Sequence, residues 1–535
     1  MHYSSAKQKW GKYVAILLVL TLALSLTACA GGSKGTNNNN GSKESVPNNS
    51  GSSEAPMEIS WLSFEPPAQD DTPVQKYIEE RFNVKIKPMR LEKNSWAEQL
   101  NIKLAGGEIP DLFFLWDSTE IQKYSNQGLL AKLPVDEIKS EMSDYAATVD
   151  ELDETLWHGA VMDGENYAIP LYYLDGSSFF RPAYNGNWLK AVGYEEAPKT
   201  FEELEDVLYK FTNEDPDKNN KKDTFGYSPW GKGLYFSFSS IFGMFGIHPN
   251  MWATEEDGSF ALGIVTERAR EGFKILNKWY KDGVIEQEFV VKSDRDSRKE
   301  FVGQKSGMFD GERWSEFIPG QGGLVQEFEA LNNEVIMGDP ISYDGKPGSG
   351  YAWGMKNNFI GMGIQVEKDP AKKAKIYEIL NALAMDKEAY ITAAYGVEGT
   401  TYDLDVDGIP IVKPQYIDAT KRGSEFGASS FFGLFFDKSL PMEQWTYSKE
   451  IYEFKKAANE GRNLVIANSL PFHVSSAAKY PDLSKLAEEY FIKFIIGEVD
   501  LDKGFDDFVE LWYRSGGQDI TDEVNKLSEE FGLAK

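Results

Sequence analysis

The chain has one cysteine and four histidines in 535 residues. A single thiol cannot form an intramolecular disulfide, and so few imidazoles argue against a histidine-rich metal or catalytic centre. Positive charge is also scarce, because 56 Lys and Arg stand against 84 Asp and Glu and leave a formal net charge of −28. Since nucleic-acid binding draws on clustered positive charge, this composition argues against nucleic acid as a partner.

The apolar run nearest the N terminus is too short to span a membrane. It extends from Val14 to Leu26, only 13 residues, whereas a spanning helix needs about 20. Lys7, Lys9 and Lys12 precede it, and small residues follow it. This pattern predicts that residues 1–28 are a secretory signal peptide.

The residues that end this segment, Leu26-Thr27-Ala28-Cys29, resemble a bacterial lipobox. That resemblance implies cleavage before Cys29 and attachment of a diacylglycerol to its sulfur. The alternative is an ordinary signal peptide whose cleavage site adjoins a cysteine. Residues 29–56 are rich in Gly, Ser and Asn and lack apolar periodicity, so we expect a flexible tether.

The remaining residues, 57–535, are too many for one ordinary core and predict at least two lobes. Strand and helix patterns alternate between Met57 and Trp116, which predicts an α/β fold with a largely parallel sheet. Ligands bind beyond the carboxyl ends of such strands. Two predicted strand ends there pair an aromatic ring with a carboxylate, Phe64-Glu65 and Trp116-Asp117, a combination that suits a sugar.

Several segments together resemble family 1 extracellular solute-binding proteins of ATP-driven (ABC) sugar importers, and in particular a large lipoprotein subgroup of Gram-positive bacteria. They are Leu104–Leu112, Trp116-Asp117, Tyr167–Tyr173, Lys199–Leu204, Gly303–Trp314 and Tyr395–Tyr402. The resemblance implies a two-lobe, periplasmic-binding-protein-like α/β fold with multiple hinge crossovers. It places lobe 1 at 57–175 plus roughly 356–395, and lobe 2 at 176–355 plus roughly 396–535.

The same resemblance implies the function. An extracellular monomer, anchored to the cell membrane by lipid, would bind an oligosaccharide between its lobes and deliver it to the permease of an ABC transporter. Matching positions nominate Trp116 and Asp117 from the first lobe and Trp314 from the second as ligand-binding residues. Further candidates are the glycine-flanked Trp230 and Trp353, together with Glu65, Tyr172, Trp252, Tyr395 and Glu398, for several of which burial in the core explains the residue equally well.

One loop has the oxygen spacing of a calcium site. Side-chain oxygens alternate at Asp215, Asp217, Asn219 and Asp223, and Lys221 would donate its backbone carbonyl. Gly226 stands where the bidentate glutamate of such loops is expected, so a solvated acidic turn is the alternative. The loop resembles the structural calcium loop of the lipoprotein subgroup, which favours a bound calcium ion.

Two other functions stay open on sequence alone. A secreted carbohydrate-active enzyme needs only two carboxylates, which an acidic chain can supply. A peptide or another solute could also be the ligand on this scaffold. The chain has no HExxH or GxSxG motif, and Gly226–Gly233 lacks the final hydroxyl of a phosphate-binding loop. We therefore expect a binding protein rather than an enzyme.

Overall fold

The computed structural model describes residues 55–234, 236–320, 323–435, 442–467 and 469–533. The predicted signal peptide, the lipidation site Cys29 and nearly all of the predicted tether lie outside these residues. None of the helices in the described ranges is both long enough and apolar enough to cross a bilayer.

The described chain begins with the predicted alternation of strands and helices. Ile59 and Trp61 alternate inward along the first strand, and Pro73 starts the first helix, whose buried face carries Val74 and Ile78. Proline favours the first helical position because it has no N–H to leave unpaired there. The first three strands pair in parallel, as the sequence predicts.

Two mixed sheets organise the described residues. The first has the order β2-β1-β3-β14-β6, with β14 antiparallel to both neighbours, and the second has the order β17-β13-β7-β11-β8, with β12 added beside β7. The strands are β1 Met57–Leu62, β2 Val84–Met89, β3 Leu112–Leu115, β4 Val161–Met162, β5 Glu165–Asn166, β6 Ala168–Tyr172, β7 Phe179–Asn185, β8 Phe225–Tyr227, β9 Trp252–Thr254, β10 Phe260–Leu262, β11 Ser306–Glu312, β12 Val335–Met337, β13 Ser349–Ala352, β14 Lys356–Met362, β15 Tyr402–Leu404, β16 Pro410–Val412 and β17 Asn463–Ile466.

Helices cover both sheets, as expected for an α/β fold. They are α1 Pro73–Phe82, α2 Trp96–Ala105, α3 Ser118–Asn126, α4 Val135–Glu141, α5 Ser143–Asp153, α6 Gly186–Ala191, α7 Phe201–Asn213, α8 Ser239–Gly243, α9 Glu267–Lys281, α10 Asp294–Val302, α11 Gly323–Glu329, α12 Pro370–Met385, α13 Lys387–Tyr395, α14 Ala419–Phe426, α15 Met442–Thr446, α16 Lys449–Asn459, α17 Leu483–Ile496, α18 Leu501–Trp512 and α19 Gln518–Glu530.

Each sheet has its own hydrophobic core. The first core draws on residues 59–172 and 359–435, and the largest second-lobe core draws on residues 184–341 and 472–524. Tyr402, Phe431 and Phe432 pack in the first core, although the sequence-based boundary assigned everything after about 395 to the second lobe. We propose that the first lobe continues to about residue 435, since a lobe is defined by the core its side chains share.

The chain passes between the sheets in more than one place, and two of these crossover segments are short and touch each other. It leaves the first sheet after Tyr172 and enters the second at Phe179, then returns between Ala352 and Lys356. The Gly354 N–H donates to the Gly176 carbonyl at 2.8 Å. A side chain at Gly176 would place its Cβ only 2.0 Å from the Gly354 carbonyl oxygen, so the two crossovers approach as closely as backbones can.

Candidate functional site

A cavity of about 390 Å³ lies beside the two crossovers. We call it the aromatic cavity, because six aromatic residues line it and only two charged side chains join them. Its lining residues are Tyr173, Asp175, Ser178, Phe179, Phe180, Arg313, Trp314, Ser315, Ile318, Trp353, Tyr447 and Ile451. Tyr447 comes from the segment just before α16. Apolar walls with a few polar groups are typical of small-ligand sites.

Trp314 borders this cavity but is mostly buried. It begins a 3₁₀ turn, Trp314–Phe317, that follows β11. The ring packs edge-on against Tyr447 with centroids 5.8 Å apart, the Lys455 ammonium lies 5.7 Å from its centroid, and only 3% of the residue is exposed. Trp314 can therefore offer a ligand part of its ring rather than an open face.

Trp353 is the more accessible tryptophan of the cavity. It lies in the second crossover, is half-buried, and contacts Phe236 with ring centroids 6.0 Å apart. Phe180 packs against the same Phe236 ring at 3.9 Å, so the apolar wall behind the cavity is continuous. A half-buried indole on a supported wall can stack on the apolar face of a sugar ring.

A charged cluster closes one side of the cavity. The Lys455 ammonium contacts the carboxylates of both Asp175 and Glu443, and the Tyr447 hydroxyl donates to Asp175 at 3.3 Å. Burial alone would lower the pKa of Lys455, but Asp175 and Glu443 outweigh it and raise that pKa above its usual value. Lys455 therefore stays protonated and joins α16 to the crossover segment that holds Asp175.

Residues 65–354 match the family model described as bacterial extracellular solute-binding protein. The chain belongs to this family. As that description says, members of the family bind solutes outside the cell.

Two relatives from Bacillus subtilis (strain 168) match nearly the whole chain. "Lipoprotein LipO" is 28% identical, with 97% of this chain and 98% of the relative covered. "Polygalacturonan/rhamnogalacturonan-binding protein YtcQ" is 23% identical, with 98% of this chain and 99% of the relative covered.

Solved structures confirm the two-lobe fold. An extracellular solute-binding protein from Bifidobacterium longum subsp. infantis has a TM-score of 0.69 at 16% identity and covers 90% of this chain and 99% of its own. An EF-hand mutant of the Streptococcus pneumoniae ABC-transporter substrate-binding protein FusA, in complex with fructo-nystose, has a TM-score of 0.64 at 16% identity and covers 90% and 100%.

The first-lobe candidates do not line the aromatic cavity. Trp116 is half-buried and packs edge-on against Phe64, with centroids 4.9 Å apart. Asp117 caps α3, because its Oδ1 accepts the backbone N–H groups of Thr119 at 2.8 Å and Glu120 at 3.0 Å. Glu65 has a positive φ of 54° and lies 3.5 Å from the Ser430 hydroxyl. Helix capping therefore explains why Asp117 follows Trp116 in the sequence.

Five other nominated residues also lie away from the cavity. Trp230 is 2% exposed, packs on Phe309 and donates its indole N–H to the Gly233 carbonyl at 2.9 Å. Tyr172 is 5% exposed and stacks on Tyr145 in the first core. The remaining three are the half-buried Trp252 of β9, Tyr395, which is 8% exposed in the first core, and the exposed Glu398.

Sequence reasoning did not nominate Tyr173, Asp175, Arg313 or Tyr447. Tyr173 and Arg313 are each next to a nominated residue, Tyr172 and Trp314, in a motif that resembles the family. Their position beside these residues could have indicated them. Asp175 and Tyr447 are 272 positions apart along the chain. No local pattern connects two residues so distant in sequence.

The acidic loop of the second lobe is folded around Asn219. Asp215 Oδ1 accepts the Asn219 backbone N–H at 3.1 Å, and the Asn219 amide Nδ2 donates to Asp217 at 2.7 Å and Asp223 at 3.0 Å. Burial and the neighbouring Asp215 raise the pKa of Asp217, as expected for carboxylates that crowd together. In the described residues no cluster of three or more His, Cys, Asp or Glu has metal-binding geometry.

Gly226 explains what this loop lacks relative to a complete calcium site. A Cβ there would lie 2.5 Å from the Leu208 carbonyl oxygen of α7, so strand β8 packs too closely for the missing glutamate. The donors that remain are three carboxylates, the Asn219 amide and the Lys221 carbonyl. Hard oxygen donors of this kind fit Ca²⁺, with water needed to complete the coordination.

Proposed function

We propose that this protein binds an oligosaccharide in the aromatic cavity and delivers it to the permease of an ABC transporter. The observation that supports this most is the cavity itself, where aromatic rings and a few polar groups meet beside the lobe crossovers. Pyranose and furanose rings have apolar C–H faces and polar edges. A wall with Trp353 on one side and Asp175 and Arg313 at its polar end complements both.

The crossovers supply the mechanism. Gly176 and Gly354 lie where the two connecting segments touch, so small changes in their backbone angles would rotate one lobe against the other. A ligand that contacts groups from both lobes stabilises the closed form. The permease then recognises the closed surface.

The relatives support a saccharide as the solute. The name of YtcQ refers to polygalacturonan and rhamnogalacturonan, and the FusA structure is a complex with fructo-nystose. The cavity also supports binding rather than hydrolysis. Asp175 is the one carboxylate residue among the described residues that line it, and Lys455 already pairs with it. A glycosidase needs a second carboxyl group across the bond to be cleaved.

Isothermal titration calorimetry with a panel of oligosaccharides tests the proposal, using Trp353→Ala and Trp252→Ala as a matched pair. Both tryptophans are half-buried, but only Trp353 lines the cavity. We expect Trp353→Ala to weaken binding by roughly 10-fold, comparable with the ~0.5–1.5 kcal/mol that a ring contact adds to the area it buries. Trp252→Ala should leave the affinity near that of the wild type. Equal losses in both variants, or binding of peptides instead of saccharides, would reject the proposal.

We also propose that the loop from Asp215 to Asp223 binds calcium in a structural role. The converging carboxylates support this, and so does the EF-hand named in the FusA structure. Calcium bound to the folded state raises the melting temperature by mass action. Differential scanning fluorimetry should show an increase with Ca²⁺ that EDTA reverses and that Asp217→Asn abolishes. Asp257→Asn, in an exposed turn elsewhere, serves as the control, and an unchanged melting temperature in wild type would refute the site.

The anchor completes the proposal. A diacylglycerol on Cys29 would hold a monomer on the outer face of the cell membrane, with residues 29–56 as its tether. The name of the relative LipO supports this assignment. Cys29→Ser should release the protein into the culture medium, whereas the wild type should fractionate with membranes and enter the detergent phase of a Triton X-114 separation. Membrane retention of the serine variant would contradict it.

A further inference from the structure

Arg313 is a positive charge that the protein leaves without an acidic partner inside the aromatic cavity. Its guanidinium donates to the Tyr173 hydroxyl and lies 5.8 Å from the Tyr173 ring and 5.6 Å from the Phe180 ring. In the part of the chain that the structure describes, no carboxylate is within salt-bridge distance of it. The side chain is exposed to the cavity.

Three glutamates close to Arg313 in sequence or in the fold bind a different arginine, and Asp310 is buried and accepts hydrogen bonds from Tyr227 and Ser240. Arg298 binds Glu312 at 2.8 Å, Glu316 at 3.1 Å and Glu327 at 2.8 Å. Successive residues of an extended segment point to opposite sides, so buried Glu312 turns towards Arg298 while Arg313 faces the cavity. Because these three glutamates already bind Arg298, they do not pair with Arg313.

The carboxylate within the cavity is committed as well. Asp175 pairs with Lys455 and accepts a hydrogen bond from Tyr447, and Lys455 also contacts Glu443. This cluster is held by side chains of the protein itself, whereas Arg313 has only a phenol hydroxyl and two aromatic rings. An arginine fork between aromatic rings is well suited to a planar carboxylate, which it can bind through two parallel hydrogen bonds.

We infer that the ligand is an acidic oligosaccharide and that Arg313 binds the carboxylate of one of its uronic acid residues. This inference deepens the proposed function and rests on it. The net charge of −28 repels such a ligand at long range, so recognition depends on this local cation. A neutral sugar, in contrast, would present only hydroxyl groups to the guanidinium, and an uncharged side chain could bind those equally well.

Calorimetry with matched pairs of oligosaccharides tests the inference. Each pair consists of an oligouronide and the neutral oligosaccharide obtained when its carboxyl groups are reduced to primary alcohols. The oligouronides have galacturonate, glucuronate or mannuronate backbones. We expect the acidic member of at least one pair to bind the wild type, roughly 10- to 100-fold more tightly than its neutral counterpart, as a charge-assisted bidentate contact gives.

Variants assign the effect to the residue. Arg313→Gln should reduce acidic affinity roughly 10-fold or more and reduce neutral affinity clearly less, and Arg313→Lys should retain part of the preference. Arg295→Gln is the matched control, since Arg295 is also exposed and unpaired in the described residues but lies on α10 outside the cavity. It should bind like the wild type.

The possible results distinguish a failure of this inference from a failure of the proposed function. Binding of neutral members with equal or higher affinity, or a loss in Arg313→Gln that is the same for both members, overturns the acidic specificity and leaves oligosaccharide binding intact. If the wild type binds none of the acidic or neutral saccharides, both the acidic specificity and the proposed function are overturned.

Discussion

Replacing Gly176 by alanine tests the hinge most sharply. The added Cβ would lie 2.0 Å from the Gly354 carbonyl oxygen, 2.8 Å from its carbon and 3.0 Å from Tyr173 Cδ1. An ordinary contact is more than 1 Å longer than the first of these, so the crossovers must separate. The separation stretches the 2.8 Å hydrogen bond from the Gly354 N–H to the Gly176 carbonyl.

Two costs add in this variant. Overpacking costs about 1–3 kcal/mol, and a lost buried hydrogen bond costs about 1–3 kcal/mol more. We therefore expect the free energy of unfolding to fall by about 2–6 kcal/mol. Because Tyr173 and Asp175 line the cavity from this same segment, ligand affinity should fall in parallel.

Denaturation in urea, followed by tryptophan fluorescence, measures the first effect and calorimetry measures the second. Gly106→Ala is the control, since Gly106 has an ordinary φ of −77° and its nearest atom to an added Cβ is 3.2 Å away. That variant should change stability by less than ~1 kcal/mol. A Gly176→Ala protein with wild-type stability and affinity would refute the close approach of the crossovers.

Three further predictions concern buried groups. Trp230→Ala should destabilise the protein by about 3–5 kcal/mol, measured by urea denaturation, because Trp230 is 2% exposed and fills a core. Lys455→Met should cost about 3–5 kcal/mol in the same assay and weaken ligand binding, since it leaves Asp175 and Glu443 without their cation; wild-type stability would contradict the cluster. Burial raises the pKa of Asp310 from 3.8 to about 6, despite hydrogen bonds from Ser240 and Tyr227 that favour the charged form. The folded state then holds a proton that the unfolded state has released, so this contribution to stability is complete below 3.8 and is lost as the pH rises through about 6. Asp310→Asn should flatten the pH dependence of unfolding in that window, and an unchanged profile would count against the buried carboxyl.

The first lobe shows how far a local pattern predicts structure. Alternation in β1 and the proline at the start of α1 depend on neighbouring residues, so the order of strands and helices could be predicted. The end of the first lobe could not, because nothing near residue 395 announces that Phe431 will pack beside Trp61. The hydrogen bond from the Trp61 indole N–H to the Phe431 carbonyl connects positions 370 apart, and the Trp61 ring packs on the neighbouring Phe432.

Only part of the site could be predicted, again because a local pattern does not show which distant residues meet. Trp314 and Trp353 were nominated and do line the cavity, since their motifs place them at the end of a strand and in a crossover. Flanking glycines marked Trp230 as a loop residue, but they say nothing about depth. Gly231 packs against the Val290 backbone, where a Cβ would lie 2.6 Å from its Cα, and this tight contact buries the neighbouring indole.

The most direct test of the account is calorimetry of the purified wild-type protein with oligosaccharides, combined with mass spectrometry of the recovered ligand. The account predicts saturable binding of one oligosaccharide per protein, recovered intact, and loss of that binding in Trp353→Ala. Recovery of shortened sugars, or the absence of heat from every saccharide offered, would contradict it.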